Sequence, residues 1–527
     1  MSTATSELSV DTHDEIHGAA AELSAGHSLV LTVLCHADLS RVGEIFRVEP
    51  SEQGLEVSRL TPLFESIDGE RVWPLADPFL SRSPFQLVFR SDGTMMLRRP
   101  QGAIAIRAND AAVVEDMTFD ADEVRRGVVL ELGQRVVILA QLQGPSSGRV
   151  DQLGLIGESP SMLQLRREIL RVGPRDVPVL LRGETGSGKE LVANAIHLAS
   201  RRKGQPFVVV NMGAVAPTLA ASELFGHVKG SFTGAADHQG VFERADRGTL
   251  FLDEIGETPI DVQPMLLRAL EGGSFVPIGA HRTVVTNVRV VSATDANLEQ
   301  AASEGRFRSP LLYRLGGYQI HVPALRDRLD DLGRLFVHFL EQELEPSERH
   351  KIEGSTAFVP AHVMARLARY SWPGNVRQLR NVVRQLVIAS HGRSEMVIDV
   401  NIDRLLSQGI DMNSEASAEP LSPETPASVS TSPRRKPSDV SKAELISALR
   451  ANHFVLEPTA AALGISRASL YALIERTPDI RKAKDIPRDE ILQLHRELKG
   501  DVRAMAEKLE VSSRGLLLRL NEILGGS

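Results

Sequence analysis

The chain has 527 residues, 42% of them hydrophobic and 24% charged, with a formal net charge of −8, so it is long enough for about three or four domains that each bury a core. The acidic balance excludes a protein whose whole surface coats nucleic acid, although a small basic module fits within that sum. A solitary cysteine, Cys35, excludes an internal disulfide and a cysteine-ligated zinc site and fits a reducing cytoplasm, while no apolar run approaches the ~20 residues needed to cross a bilayer.

In chain order, residues 1–24 are polar and acidic, and we expect them to be disordered. From 25 to 148 short apolar runs such as "LVLTVLC", "FQLVF", "AIAIR" and "QRVVILAQL" are separated by Gly, Asp, Asn and Ser turns, a spacing that predicts an all-β sandwich. From 153 to about 330 strand and helix patterns alternate, through "PVLLRG", "KELVANAIHLASRR", "PFVVVNM", "GTLFLDEI" and "VRVVSATD", which predicts a parallel sheet covered by helices. A helical stretch follows from about 331 to 407, with this domain expected to end near 390. Residues 408–439 carry Ser, Pro and Glu without apolar periodicity and read as a disordered linker.

The C-terminal segment holds an internal repeat at an offset of about 46 residues, pairing Glu444 with Glu490, Ala460 with Ala506, Leu463 with Leu509 and Ser466 with Ser512. Each copy, 440–478 and 484–524, reads as a helix-turn-helix. Residues 433–527 carry 17 basic against 13 acidic side chains, which makes this the plausible DNA end, with a plain helical contact domain as the alternative. The fold class is therefore multidomain: a β-sandwich, an α/β P-loop unit with a helical lid, and an all-α repeat.

Two stretches carry the chemistry. "GETGSGKE" (Gly183, Glu184, Thr185, Gly186, Ser187, Gly188, Lys189, Glu190) fits G-x-x-x-x-G-K between a predicted strand and helix. Its glycines let backbone N–H groups curl around phosphate oxygens, the helix N-terminus adds its dipole, and Lys189 reaches the outer phosphates. The Ser or Thr that normally follows the lysine is Glu190. Downstream, "GTLFLDEI" is an apolar strand ending in two carboxylates, where Asp253 would hold Mg²⁺ and Glu254 would polarise a water. ATP and Mg²⁺ are thus the expected cofactors. A third stretch, "GHVKGSFTGA", sets Phe232 and Thr233 among glycines, either as a turn whose aromatic enters the core or as an exposed tip.

Residues 153–390 resemble the AAA+ ATPase domain of bacterial enhancer-binding proteins, the activators of sigma-54 RNA polymerase. The matching segments are "LIGESPSMLQL", "GETGSGKELVANAIH", "FVVVNMGAV", "SELFGHVKGSFTGA", "GTLFLDEIGE", "GRFRSPLLYRL", "VPALRDR" and "WPGNVRQLRNVV". The resemblance implies that Asn211 is a switch partner of Glu254, that Arg308 and Arg314 are arginine fingers for a neighbouring subunit's nucleotide, and that Arg377 is the sensor arginine of the lid. It also implies that Phe232 and Thr233 touch the sigma factor and that the active form is a ring, a hexamer. Glu190 is usual in that family. Four positions depart from it: Ser231 stands where Ala is usual, where members read Ala-Thr-Asn-Arg this chain has Thr294 followed by Asp295 and Ala296, and Pro310 replaces an acidic residue between the fingers.

The first C-terminal copy resembles a Fis-type DNA-binding module, implying that Ser466, Arg467, Ser469 and Tyr471 face DNA. The N-terminal sandwich resembles a forkhead-associated (FHA) domain, implying that Arg59, Ser81 and Arg82 grip the phosphate of a phosphothreonine protein or kinase, with Pro84 where a His is usual. The reading is a cytoplasmic activator whose partners are the sigma-54 holoenzyme and upstream promoter DNA. Its alternatives are a DNA-binding regulator whose weakened ATPase serves assembly, and a remodeller of other partners.

Overall fold

The computed structural model describes residues 28–66, 69–144, 148, 150–231, 236–351, 358–408 and 442–451, with isolated positions from 459 to 519. Phe232, Thr233, Ser466, Arg467, Ser469 and Tyr471 lie outside the described residues. Cα packing divides the chain into two compact units, 1–418 and 419–527.

The first unit opens with twelve strands: β1 (Ser28–Cys35), β2 (Ile45–Val48), β3 (Ser51–Val57), β4 (Phe64–Glu65), β5 (Val72–Trp73), β6 (Phe85–Phe89), β7 (Met95–Arg98), β8 (Ile106–Ala108), β9 (Ala111–Ala112), β10 (Met117–Phe119), β11 (Val128–Leu132) and β12 (Val136–Gln143). They form an eight-stranded sheet, ordered β5-β4-β2-β1-β12-β11-β8-β9, facing a four-stranded sheet, β10-β7-β6-β3. A short helix, α1 (Ala121–Arg126), enters through an Asp120–Glu123 capping box.

β1, β11 and β12 are buried on both faces, and the period-two alternation of a strand divides their side chains between two cores. Leu29, Leu31, Val33, Val128, Leu130, Leu132, Val136, Ile138 and Ala140 fill the space between the two sheets. Leu34, Cys35, Val129, Val137 and Leu139 face the other way and join the core of the helical lid.

The parallel sheet follows the order β14 (Phe207–Asn211), β15 (Thr249–Asp253), β18 (Arg289–Thr294), β13 (Val179–Arg182) and β19 (Tyr318–His321), with a hairpin, β16 (Ser274–Phe275) and β17 (Val284–Val285), beside it. Its helices are α2 (Pro160–Val172), α3 (Lys189–Leu198), α4 (Ala220–Phe225), α5 (Val241–Arg244), α6 (Gln263–Gly272), α7 (Leu298–Ser303) and α8 (Ser309–Leu315). Strands covered on both sides become continuous apolar runs, as in "TLFLD" of β15 with its four buried residues. A 3₁₀ segment, Leu325–Asp331, leads into the lid helices α9 (Leu332–Glu343), α10 (Ala361–Ala368), α11 (Asn375–Ala389) and α12 (Val400–Gln408). Ile402 and Leu406 of α12 are buried in the lid core, so the helical stretch expected to about 407 packs as part of the lid, past the domain end expected near 390.

In the second unit the described helix is α13 (Lys442–Ala451). Leu463 and Leu509, which the repeat aligns, are both buried. No helix among the described residues is long and apolar enough to cross a membrane.

Candidate nucleotide-binding site

The phosphate loop runs from the end of β13 to the start of α3, and Gly188 at the helix N-cap has φ +109° while Gly186 has φ +78°. These are left-handed conformations that an L side chain resists. A Cβ on Gly186 would stand 2.4 Å from the Gly374 carbonyl oxygen of the lid, so this glycine also allows the lid to close down on the loop.

Lys189 is buried, and its ammonium donates to the Gly183 carbonyl at 2.7 Å and the Glu184 carbonyl at 3.3 Å. Burial pulls its pKa below the ordinary lysine value, and the facing carboxylates Asp295, Asp253 and Glu254 oppose that pull. The Ser187 hydroxyl is buried without a hydrogen-bond partner. An orphaned hydroxyl, a lysine satisfied by its own loop carbonyls and two positive-φ glycines are what a phosphate group would complete.

Across the sheet, register pairs Asn211 with Asp253 at the C-terminal ends of β14 and β15. The Asn211 amide donates to the Asp253 carboxylate at 3.3 Å. Glu254 has φ +52°, and its carboxylate lies over Gly213, where a Cβ would be 2.1 Å from Oε2 and 3.3 Å from the Asn211 side-chain oxygen. Asn211 and Glu254 are thus neighbours, with the amide hydrogen bond going to Asp253. At the end of β18, Thr294 is buried and its hydroxyl accepts from the Ala296 N–H. Asp295 is exposed and accepts a 2.6 Å hydrogen bond from Thr185 of the phosphate loop. Loop, carboxylate pair and sensor position therefore meet at one edge of the sheet, where α/β folds place their ligands.

The lid supplies contacts that local motifs do not announce. Asn375, buried at φ +52°, donates to Glu184 Oε2 at 3.0 Å and to the Thr185 carbonyl at 3.2 Å. Arg326 pairs bidentately with Glu184, and together with Asn375 it pulls the Glu184 carboxyl down to about 2. Arg328 donates to the Ser187 carbonyl. Arg377 is exposed above the loop, its N–H reaching the Gly186 carbonyl at 3.3 Å. A Gly-Asn turn gives some local signal for Asn375; Arg326 and Arg328 stand in the segment "VPALRDR" that carries the resemblance, but nothing in it names their partners, which lie about 140 residues away in sequence.

The remaining site residues lie elsewhere. Arg308 is exposed at the N-cap of α8, and Arg314 on the same helix donates to the Leu270 carbonyl. Glu190 is exposed in the first turn of α3. Gly230 and Ser231 are the last described residues before Phe232, and His227 bridges to His238 and Ile278. In the sandwich the Arg59 N–H donates to the Ser81 carbonyl at 3.2 Å, the Arg59 Nε is buried without a partner, and Arg82 is exposed.

A phosphate loop between strand and helix, an Asp–Glu strand end two strands across on the same edge of the sheet and a helical roof define an AAA+ P-loop ATPase module. Residues 155–321 match the sigma-54 interaction domain family and residues 326–415 match the AAA+ ATPase lid domain family. This central part of the chain belongs to the sigma-54 interaction family of AAA+ ATPases. The DNA-binding transcriptional regulator NtrC of Escherichia coli K12 is 42% identical over 287 residues, covering 54% of this chain and 59% of the relative. The DNA-binding transcriptional activator HyfR of the same organism is 38% identical over 332 residues, 61% and 47% of the two chains. The crystal structure of NtrX from Brucella abortus in complex with ADP is 31% identical, covers 62% of this chain and 69% of that one, and superposes with a TM-score of 0.42. The chain thus spans about half to three fifths of the length of these two curated relatives.

Proposed function

We propose that the chain is an ATP-driven transcription activator that remodels sigma-54 RNA polymerase. The observation that carries this reading is the convergence of Lys189, after β13, with Asp253 and Glu254, at the end of β15, on the same C-terminal edge of the sheet with β18 between them, within a domain of the sigma-54 interaction family. Mg²⁺·ATP, when bound, supplies the scissile phosphoanhydride. The loop N–H groups, the Ser187 hydroxyl and Lys189 would hold its phosphates, and Asp253 would hold the metal. No cluster of three metal-ligating side chains exists among the described residues, which suits an ion that keeps water and phosphate oxygens as its other ligands. Glu254 accepts the proton of the attacking water.

Arg308 and Arg314, exposed on α8, are available to a neighbouring subunit, consistent with a hexameric ring. Phe232 and Thr233 are assigned to sigma-factor contact, the C-terminal repeat to promoter DNA through Ser466, Arg467, Ser469 and Tyr471, and Arg59, Ser81 and Arg82 to a phosphothreonine partner, all in the cytoplasm. The Asp295 carboxylate on Thr185 favours one second reading, a regulator whose weakened ATPase serves assembly.

Three substitutions test the assignment. Lys189→Ala should abolish nucleotide binding, and Glu254→Ala should keep binding while turnover stops. Phe232→Ala should retain ATPase rate and melting temperature but lose sigma-54 polymerase binding and open-complex formation. Unchanged polymerase binding by Phe232→Ala sinks the sigma-54 reading, and an unchanged ATPase rate in Glu254→Ala sinks the catalytic one.

A further inference from the structure

Gly333 occupies the second position of α9, where glycine weakens a helix and alanine would strengthen it. The space explains it: a Cβ there would stand 2.6 Å from the Leu34 carbonyl and 2.7 Å from Val42 Cγ1 of the sandwich. Gly43 answers from the opposite side, at φ +91° with the Arg334 guanidinium lying 2.2 Å from where its Cβ would be. Around this close approach Arg334 donates to the Gly43 carbonyl at 2.5 Å, Gln143 donates to Asp330 at 3.0 Å, Cys35 Sγ meets the Val359 carbonyl at 3.5 Å, and Arg369 pairs with Asp110 at 3.1 Å. The outward face of β1, β11 and β12 closes the seam with a core shared by both bodies.

On its other side the same stretch of lid grips the phosphate loop. Asp331 accepts from the Glu158 and Ser159 N–H groups that lead into α2, and Arg328 and Arg326 reach Ser187 and Glu184. The segment 326–334 therefore touches the sandwich with one set of side chains and the loop with another.

We propose that the β-sandwich and the helical lid form one rigid arm, so that the sandwich acts on the nucleotide pocket through the lid rather than through the connecting chain. A ligand on the sandwich or a lid movement driven by nucleotide is felt at the other end because the seam is packed and hydrogen-bonded. The binding readout rests on the nucleotide assignment above; the docking readout does not.

Cys35 is the chain's only cysteine and is buried in the seam, so its reaction with Ellman's reagent reports undocking in the full-length protein. The wild type should react slowly with and without ADP. Gly333→Leu should raise the rate at least about tenfold and weaken binding of a fluorescent ADP at least about threefold, with Gly333→Ala, which adds one methyl group, in between. Circular dichroism on each variant separates undocking from unfolding, and Gly333→Ala keeps the test decisive if the leucine variant does not fold. Wild-type labelling as fast as that of Gly333→Leu, or Cys35 protected in every variant, overturns the seam. An exposed Cys35 with unchanged ADP affinity and ATPase rate overturns the coupling. A wild type that binds no ADP while Cys35 stays protected would instead defeat the nucleotide assignment.

Discussion

Gly186 and Gly188 share a phosphate loop and a positive φ, yet the structure separates what alanine would do at each. At Gly188, φ +109°, nothing lies within 4 Å of an added Cβ, so the variant meets only the cost of a left-handed backbone, about 1–2 kcal/mol. At Gly186, φ +78°, the same cost applies and the Cβ also stands 2.4 Å from the Gly374 carbonyl and 3.1 Å from Arg377 Cβ. An ordinary contact begins at 3.4 Å, about 1 Å more, and relieving an overpacked contact of this kind costs about 1–3 kcal/mol. Backbone carbonyl meets backbone here, so relief requires the lid to lift. Without nucleotide, Gly186→Ala should melt roughly 3–6 °C below Gly188→Ala. Hydrogen exchange should rise in the N-terminal turn of α11 in Gly186→Ala alone. Thermal melts of both purified proteins, followed by exchange on that helix, measure the effect. Coincident melts, or equal exchange, would refute the claim that the loop and the lid touch through this glycine.

Two further outcomes are expected. Asp295→Asn keeps a side-chain acceptor for Thr185 and removes a negative charge beside the phosphate loop, so ATP affinity by titration calorimetry should rise about threefold to fivefold while ADP changes less; equal ATP affinities would mean that the carboxylate is screened from the phosphates. Asp330 is fully buried beside Asp331, with Gln143 and Arg334 as its other neighbours, and burial together with the Asp331 charge pushes its pKa up to about 7. A folded pKa above the unfolded one gives stability that is full below about pH 4 and lost as pH rises through 7. Wild type should therefore melt lower at pH 8.5 than at pH 5.5, with part of that difference absent from Asp330→Asn; identical pH profiles would show that Asp330 is already ionised in the folded protein at pH 5.5.

The site divides into what chain order reveals and what it hides. The phosphate loop and the Asp253–Glu254 pair are legible because phosphate chemistry demands particular residues at short spacing on a strand end, and the fold brought those two strand ends to one edge. The clamp of Arg326, Arg328 and Asn375 on the loop has no such spacing. Its partners are more than a hundred residues away, and an arginine or asparagine alone carries no address.

The sandwich shows a subtler loss. "LVLTVLC" reads correctly as a strand, but a half-buried strand alternates apolar and polar residues. The lack of polar residues beyond Thr32 already implied a second covered face, although nothing in the run names the lid as its cover. The helical stretch to about 407 is legible, but its place in the lid beyond 390 is hidden for a related reason: α12 is short, and its Ile402 and Leu406 become core only against helices that precede it in the chain.

That two-faced sheet also bears on how the protein can be taken apart. A fragment cut after β12 would retain every strand of the sandwich and the whole space between its sheets, but Leu34, Val129, Val137 and Leu139 would meet water together on one side. Contiguous apolar area of that kind drives self-association. Such a fragment should come out of cells as dimers or aggregates, and a lid expressed without the sandwich should show the complementary stickiness. The natural unit for testing the proposed phosphopeptide binding is therefore the sandwich with the AAA+ module and its lid attached, and poor behaviour of the isolated N-terminal piece would not count against that proposal.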